Sequence, residues 1–348
     1  MNTSPAQFED IRLLEEKLTS SQLPPDLYQK SKAMVDRLTR LARAQGFSQE
    51  YDSVSRYLDW IVNLPWNKKS QDILSLEHVK KILDKNHFGL ETLKERILEY
   101  ISIESLKRSR GEKTRAPALL LLGLVGTGKT TMAISIAEAI SRKFGRIPMG
   151  GMGDALQLRG KSRAYPGAEP GQVIKVLRRV QTNNPVIILD EIDRVTDDSK
   201  SDIMGVLVEL LDPEQNSKFL DQFIDYPFDL SDVLFITTAN NIQGIATAVL
   251  DRLEILEMPS YTDEQKITIG RNYLLPRALW ASGLGQKDLI INEEVWGKIV
   301  RPLGFDAGMR TLDRTINGIC RKVAKAKLEQ KSQNVIISEQ NYKKYLPD

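Results

Sequence analysis

Gly123-Leu124-Val125-Gly126-Thr127-Gly128-Lys129-Thr130 is the most informative stretch of this 348-residue chain. It fits G-x-x-x-x-G-K-[ST], in which backbone N–H groups surround phosphate oxygens, the lysine reaches the β- and γ-phosphates, and the hydroxyl faces Mg²⁺. An apolar run with the length of a buried strand, Ala118–Leu122, precedes it, and residues 131–143 predict a helix that Gly145 ends. The motif requires a strand, a glycine-rich turn and a helix in this order. We therefore expect the chain to bind a nucleotide.

A second apolar run, residues 186–189, ends in two adjacent carboxylates, Asp190 and Glu191. At the end of a strand beside the phosphate loop, the first acid would orient Mg²⁺ and its waters. The second would polarise the water that attacks the γ-phosphate. Paired acids at a strand end are often only a turn, but together with the phosphate loop they predict an ATPase site.

A third apolar strand, residues 233–239, ends at Asn240, whose amide could reach the attacking water or the γ-phosphate. Arg252 lies just before a further short apolar run. It could neutralise transition-state charge on a nucleotide held by a neighbouring subunit. The alternative for Arg252 is a surface ion pair with Asp251 or Glu254.

Composition indicates an ordinary globular protein, with 41% hydrophobic and 27% charged residues and a formal charge of +3. A charge this small does not argue for nucleic acid. The single cysteine, Cys320, falls in an apolar helical pattern and is predicted to be a core residue, and with only two histidines we expect no zinc site. No signal peptide or membrane-spanning run is evident, so we expect a cytoplasmic protein without a membrane partner.

The patterning predicts an α/β fold in three parts. An α-helical N-terminal segment occupies 1–70 and includes a helix capped by Ser48. An α/β nucleotide-binding domain with a parallel sheet follows at 71–257, with its core at 116–257. A small α-helical lid domain occupies 258–348, and the helix opening at 305–314 carries Arg310, which can close over the phosphates. The basic residues at 107–115 lack interleaved aromatics and indicate a solvated linker rather than a nucleic-acid patch.

In this order, the strand acids, the strand-end asparagine, the two arginines and the helical lid resemble an AAA+ ATPase. The resemblance is closer to the ATPase part of Lon protease and runs from about residue 23 to the end. The stretches that carry it are 57–66, 87–90, 95–100, 211–216, 226–233 and 307–310.

The resemblance implies a homo-oligomeric ring of six subunits that hydrolyses ATP to ADP with Mg²⁺ and pulls on unfolded or tagged proteins. It assigns catalytic roles to Glu191, Asn240, the trans-acting Arg252 and the lid arginine Arg310, and metal contacts to Thr130 and Asp190. Tyr165 corresponds to the aromatic that grips polypeptide in the central pore. Nucleotide contacts fall on Phe88, Gly123, Gly126, Thr127, Gly128, Lys129, Thr130, Thr131 and Tyr261.

Several positions depart from the family pattern. Leu124 and Val125 replace the usual paired prolines of the phosphate loop, and Pro166 replaces the aliphatic residue after the pore aromatic. The first change leaves the phosphate loop less stiff, and the second alters the loop that handles substrate, while the ATPase residues are retained. The Ser–Lys peptidase domain of Lon would begin about where this sequence stops, so we expect no peptidase activity from these residues and leave room for a separate peptidase or adaptor.

Two other hypotheses remain open. The first is an AAA+ motor or loader that acts on nucleic acid, which the basic 107–115 stretch permits but the absence of a DNA-binding module disfavours. The second is a regulatory switch that binds ATP without useful turnover. The presence of Glu191, Asn240 and Arg252 argues against the switch, because losing any one of them would suffice to disable hydrolysis.

Overall fold

The computed structural model describes residues 5–45, 49–112, 117–301, 308–329 and 334–347. The predicted cap at Ser48, the end of the basic stretch and residues 305–307 of the predicted lid-helix start lie outside these ranges. No helix within them is long and apolar enough to cross a membrane.

The described chain begins with three helices, α1 (Pro5–Ser20), α2 (Pro25–Gln45) and α3 (Gln49–Val62). Apolar side chains at three- and four-residue spacing give each helix one hydrophobic face. These faces pack on one another around buried Ile11, Leu14, Leu38 and Leu58. The predicted helices therefore form a bundle.

This bundle is attached to the rest of the protein by specific contacts. The Tyr57 hydroxyl donates to the backbone oxygen of Ile224 at 3.1 Å, and the Tyr226 hydroxyl donates to Asp26 Oδ1 at 2.7 Å. Trp66, just after α3, packs edge-on against the Tyr226 ring with centroids 5.7 Å apart. The N-terminal helices thus share a core with the α/β part.

Among its described residues, the α/β part has seven strands: β1 (Ala118–Leu122), β2 (Phe144–Pro148), β3 (Val186–Asp190), β4 (Phe219–Asp221), β5 (Tyr226–Phe228), β6 (Leu234–Ala239) and β7 (Leu253–Glu257). Five of them form a parallel sheet in the order β2-β3-β6-β1-β7, whereas β4 and β5 form a separate antiparallel hairpin. The predicted α/β fold with a parallel sheet is confirmed.

Helices cover both faces of the sheet, at α4 (Leu76–Asn86), α5 (Glu91–Ser109), α6 (Lys129–Ala139), α7 (Leu156–Arg159), α8 (Gln172–Val180), α9 (Lys200–Leu211) and α10 (Thr247–Leu250). Leu119 and Leu121 of β1 pack with α4, α5 and α6, while Leu120 packs with α8 and α9 on the opposite face. Burial on both faces explains why the strand sequence is continuously apolar.

The helix after the phosphate loop differs from the prediction of 131–143. It begins at Lys129, because Gly128 already adopts a left-handed conformation at φ 99° and ends the loop there. It finishes at Ala139, and Ser141 turns the chain at φ 58°. Gly145 does not end this helix; it lies in the edge strand β2, which the sequence did not predict.

The basic stretch at 107–115 also differs from a simple linker. Lys107 and Arg108 complete the last turn of α5, where cations interact favourably with the helix dipole. Arg108 forms an ion pair with the buried carboxylate of Asp72. Part of the predicted linker is therefore structural.

The lid is mainly helical, as predicted, but contains a short parallel strand pair. A π-helical segment at Gly270–Leu274 links α11 to α12, and buried Trp296, Ile316 and Cys320 form part of the lid core. Cys320 is thus a core residue, as predicted. The elements are α11 (Asp263–Ile269), α12 (Leu275–Ala281), β8 (Leu289–Ile291), α13 (Trp296–Val300), α14 (Arg310–Leu328), β9 (Val335–Ile337) and α15 (Tyr342–Tyr345).

Candidate active site

A cleft of about 340 Å³ lies at the carboxyl ends of β1, β3 and β6, between the sheet and the lid. This is where parallel sheets place ligand sites. Of the residues predicted to act in the site, those that line the cleft are Gly126, Gly128, Lys129, Thr130, Thr131, Asp190, Glu191, Asn240 and Arg310. Those that do not are Gly123, Thr127, Phe88, Tyr261, Arg252 and Tyr165.

Lys129 stands at the start of α6, with its ammonium group at the centre of the phosphate loop. Nζ donates to the backbone oxygens of Gly123 at 2.6 Å and Leu124 at 3.0 Å, and to Asn240 Oδ1 at 3.0 Å. Burial lowers the pKa of Lys129 by withdrawing the ammonium from water, and the carboxylates of Asp193, Asp190 and Glu191 oppose this effect. The loop therefore holds a desolvated cation where the motif requires one.

Asp190, at the end of β3, is the most heavily bonded acid of the site. Its Oδ1 accepts the Thr238 hydroxyl at 2.7 Å, and its Oδ2 accepts Arg146 Nε at 2.8 Å and Nη2 at 2.5 Å. The Thr130 hydroxyl lies 3.4 Å from both carboxylate oxygens. The hydroxyl and carboxylate expected to face Mg²⁺ are thus adjacent.

Glu191 follows Asp190 in a left-handed backbone conformation, at φ 63°. A non-glycine residue in this region costs on the order of 1–3 kcal/mol and occurs preferentially at functional sites. The Thr238 hydroxyl stabilises this conformation by accepting the Glu191 N–H at 2.8 Å. The turn directs the two neighbouring carboxylates differently: Asp190 is buried, whereas the Glu191 side chain is 37% exposed and lines the cleft.

Asn240 joins the sheet edge to the phosphate loop. Its Oδ1 accepts from Lys129, and its backbone N–H donates to Asp193 Oδ2 at 2.9 Å. Its Nδ2 is buried and has no hydrogen-bond partner among the described residues. A buried donor without an acceptor is costly, and a phosphate oxygen or a water in the cleft would satisfy it.

These features fit a bound magnesium nucleotide. The phosphate loop supplies a buried ammonium, Asn240 supplies an unsatisfied amide donor, and Thr130 with Asp190 supplies the oxygen donors that Mg²⁺ prefers. Thr130 and Asp190 would hold the metal, and Lys129 would bind phosphate.

The lid closes the cleft through two glycines. An ideal Cβ on Gly126 would lie 3.1 Å from Gly308 Cα, and one on Gly308 would lie 2.6 Å from Val125 O. The Met309 N–H donates to Gly126 O at 2.9 Å. Gly126 also has φ 81°, which other residues adopt with strain. The lid backbone therefore rests directly on the phosphate loop.

Two lid arginines line the cleft. Arg310 is exposed at the first position of α14, as predicted, and Arg277 of α12 forms an ion pair with Asp313 at 2.9 Å. Arg277 lies just after the π-helical segment, a feature often found at functional sites.

Arg252 lies outside the cleft of its own subunit. Its guanidinium donates to Asp212 Oδ2 from Nε at 3.0 Å and to Ala248 O from Nη1 at 2.8 Å. The alternative partners predicted for it were wrong, because the folded chain brings Asp212 of the α9 C-cap to it, while Glu254 bonds with Arg96 at 3.2 Å.

Phe88 and Tyr261 are half-buried, and the segments that carry them adjoin each other. An ideal Cβ on Gly89 would lie 3.5 Å from Gln265 Nε2, so the 87–90 loop meets the start of α11. Burial raises the pKa of Tyr261 to about 12. The two aromatics therefore occupy neighbouring segments, but neither lines the cleft.

Gly123 and Thr127 form hydrogen bonds within the phosphate loop and do not line the cleft. Gly123 O accepts from Lys129, and the buried Thr127 hydroxyl donates to Leu124 O at 2.9 Å. Both residues therefore shape the phosphate loop.

Tyr165 lies away from the cleft in a surface loop and is 62% exposed. Lys161 Nζ lies 5.8 Å from the Tyr165 ring centroid and donates to Pro166 O at 3.2 Å. The Arg163 guanidinium packs over the Tyr57 ring of α3 at 3.8 Å. The base of the loop is thus attached to the N-terminal bundle, and the tyrosine projects from it.

Sequence reasoning missed Thr238, Asp193, Arg146 and Arg277. Two threonines in an otherwise apolar strand were a usable signal for Thr238, since a buried hydroxyl needs a partner. Asp193 was visible beside the two acids. Arg146 and Arg277 carried no local signal, because each reaches the cleft only through the strand order or the lid position.

Comparisons with known proteins agree with this architecture. Residues 119–260 match the family model "ATPase family associated with various cellular activities (AAA)". Residues 281–336 match the model of the "Lon protease AAA+ ATPase lid domain".

Curated relatives extend the similarity across the chain. It is 41% identical to "Lon protease 2" of Herpetosiphon aurantiacus over 92% of this chain and 39% of the relative. It is 41% identical to "Lon protease" of Lawsonia intracellularis over 97% of this chain and 40% of the relative. It is 40% identical to "Lon protease 2" of Thermus thermophilus over 97% of this chain and 43% of the relative. The chain thus spans about 40% of the length of these relatives. With both family models matched, the chain belongs to the Lon protease family and corresponds to its AAA+ ATPase portion.

Proposed function

We propose that this chain hydrolyses ATP with Mg²⁺ and acts as a motor that unfolds and translocates protein, the ATPase part of ATP-dependent protein degradation. One observation carries the proposal. A buried lysine, two strand-end acids and an unsatisfied asparagine amide meet at a single cleft that two lid arginines line.

Binding is attributed to the phosphate loop. Lys129 would exchange its bonds to Gly123 O and Leu124 O for phosphate oxygens, which hold a buried ammonium more strongly because they are charged. Thr130 and Asp190 would hold Mg²⁺, which when bound neutralises phosphate charge.

Hydrolysis is attributed to Glu191 and Asn240. Glu191 is the more exposed of the two acids and would accept a proton from the attacking water. Asn240 Nδ2, buried without a partner among the described residues, would donate to that water or to the γ-phosphate. Because Asn240 Oδ1 accepts a hydrogen bond from Lys129, any movement of the lysine would change this contact of Asn240.

Completion of the site by a second subunit is attributed to Arg252. Its guanidinium lies outside its own cleft, held by Asp212 and Ala248 O, and its side chain is 28% exposed. From this position it could reach a nucleotide only in the cleft of a neighbour, so we propose a homo-oligomeric ring of six subunits. Arg310 would act in cis from the lid.

Contact with the protein substrate is attributed to Tyr165. An exposed aromatic on a braced loop contacts many side chains without demanding a sequence, as an unfolding motor requires. Gly167, after Pro166, has φ 70°, a left-handed conformation that glycine adopts without strain.

The first test measures ATP turnover against protein concentration, with and without casein, alongside particle size. We expect specific activity to rise with assembly and to rise further with casein. The variant Glu191→Gln should still bind ATP while turnover collapses. Stimulation by DNA but not by casein would instead support a nucleic-acid motor, and turnover independent of assembly would contradict a ring.

The second test asks whether Arg252 acts between subunits. Lys129→Ala removes nucleotide binding but keeps Arg252, whereas Arg252→Ala keeps the nucleotide site but lacks the arginine. Each variant alone should be inactive, and mixing them should restore part of the turnover, because an intact cleft then meets an intact arginine. A mixture as inactive as its components, at a concentration where mixed rings form, would refute action in trans.

A further inference from the structure

Arg146 is a basic residue of the cleft that none of the motifs includes. It lies in the edge strand β2, where its neighbours Gly145 and Ile147 are buried and its own side chain is 55% exposed. From there its guanidinium reaches Asp190 with two nitrogens, at 2.8 Å and 2.5 Å from Oδ2. An exposed arginine is thus bound to a carboxylate whose side chain is only 7% exposed.

The contact with Arg146 occupies the Asp190 carboxylate, which a metal ion would need as a ligand. Asp190 Oδ1 already accepts the Thr238 hydroxyl at 2.7 Å, and Thr130 lies 3.4 Å from both oxygens. With Arg146 on Oδ2, the carboxylate has little capacity left for a cation or its waters. A guanidinium beside this oxygen also repels an approaching cation.

The same charge has the opposite effect on a phosphate. Arg146 lines the cleft together with Lys129, so it adds positive charge to a site that receives an anion. A bound cation and Arg146 are therefore alternative counter-ions of Asp190, whereas metal-free nucleotide and Arg146 attract each other.

We propose that Arg146 is a positioning residue that acts as an exchangeable counter-ion of Asp190. It holds the carboxylate in place before nucleotide arrives, supports the phosphates when no metal is present, and leaves Oδ2 as Mg²⁺ enters. The inference rests on the proposed nucleotide function. Its consequence is that Arg146 sets how strongly ATP binding depends on Mg²⁺.

The test measures ATP binding by calorimetry in a Glu191→Gln background, which prevents turnover. Two quantities are read: the Kd for ATP in EDTA, and the Mg²⁺ concentration at which the metal-dependent tightening is half complete. For Arg146→Met we expect the EDTA Kd to rise roughly tenfold and the Mg²⁺ midpoint to fall by a similar factor, because a charge-assisted contact is lost in one case and a competitor in the other.

Controls separate this role from a structural one. Arg146→Lys keeps the charge but cannot make the two-nitrogen contact, so its EDTA Kd should stay within about twofold while its Mg²⁺ midpoint falls only part of the way. Arg271→Met removes an arginine of the lid that pairs with Glu293, outside the cleft, and should change neither quantity. If Arg146→Met unfolds, Arg146→Gln keeps a neutral donor and gives the same comparison.

The outcomes distinguish a failure of the role given to Arg146 from a failure of the proposed nucleotide site. Opposite shifts of the two quantities support the inference, whereas shifts in the same direction, or no shift, overturn it. A parent protein whose ATP binding is absent, or unaffected by Lys129→Ala, would instead overturn the proposed nucleotide site itself.

Discussion

Replacing Gly308 by alanine should separate the lid from the phosphate loop, because the added Cβ would collide with the backbone of that loop. An ideal Cβ at this position would lie 2.6 Å from Val125 O and 3.0 Å from Gly126 Cα, whereas ordinary contacts begin at 3.4 Å. The lid must therefore retreat by roughly 0.8 Å, which lengthens the 2.9 Å bond from Met309 N to Gly126 O beyond hydrogen-bonding range.

The expected effect follows from these contacts. Losing the hydrogen bond costs about 1 kcal/mol, and overpacking adds a similar amount, so lid closure should weaken by about 2 kcal/mol. Arg310 and Arg277 line the cleft only with the lid in place. We therefore expect ATP to bind roughly 30-fold more weakly, since 1.4 kcal/mol corresponds to a factor of ten.

A fluorescent ATP analogue titrated into Gly308→Ala, in the Glu191→Gln background, measures this directly. Gly297→Ala is the matched control, because Gly297 lies in the lid helix α13 with nothing within 4 Å of its added Cβ. Affinity within twofold of the parent for Gly308→Ala would refute the reasoning. Equal weakening by Gly297→Ala would assign the effect to lid stability instead of the contact.

Three further changes test other parts of the structure. Burial lowers the pKa of His87 from 6.5 to about 4. As the pH falls, the histidine therefore takes up a proton in the unfolded chain before it does so in the folded protein. About 3 kcal/mol of the free energy of unfolding should be lost between pH 6.5 and 4 for this reason. Denaturant titrations of His87→Gln should lack this part of the pH dependence, and an unchanged profile would contradict it. Asp221→Asn should lower the free energy of unfolding by about 2 kcal/mol in the same titrations. The carboxylate accepts from Gly171 N at Oδ2 and from Phe223 N and Ile224 N at Oδ1, whereas an amide offers only one oxygen. A decrease below about 0.5 kcal/mol would be inconsistent with this. Tyr165→Ala should leave basal ATP turnover unchanged and abolish its stimulation by casein, and retained stimulation would remove Tyr165 from substrate contact.

The local elements of the site were predictable because each is encoded in consecutive residues. The phosphate loop needs glycines and a lysine at fixed spacing, and the strands before it and before Asp190 appear as continuous apolar runs. The edge strand β2 was missed because its sequence, Phe-Gly-Arg-Ile-Pro, has one charged residue and two strand breakers. An edge strand tolerates them, since one side of its backbone forms no sheet bonds.

The partners of the arginines could not be predicted in the same way. The alternative considered for Arg252 was an ion pair with Asp251 or Glu254, its neighbours in sequence, but the fold places the α9 C-cap against it, and Asp212 binds it instead. Ion pairs form between side chains that are close in space, and sequence separation carries little information about that distance.

The amino-acid sequence by itself determined the fold class, the family, the phosphate loop and the acids at the strand end, because these depend on local spacing and on runs of apolar residues. Only the tertiary structure decided that Arg146 is bound to Asp190, that Asn240 keeps an unsatisfied amide beside Lys129, and that the lid rests on Gly126 through Gly308. The physical reason is the sheet order β2-β3-β6-β1-β7, which brings strands distant in sequence to one edge and leaves the lid to close over it.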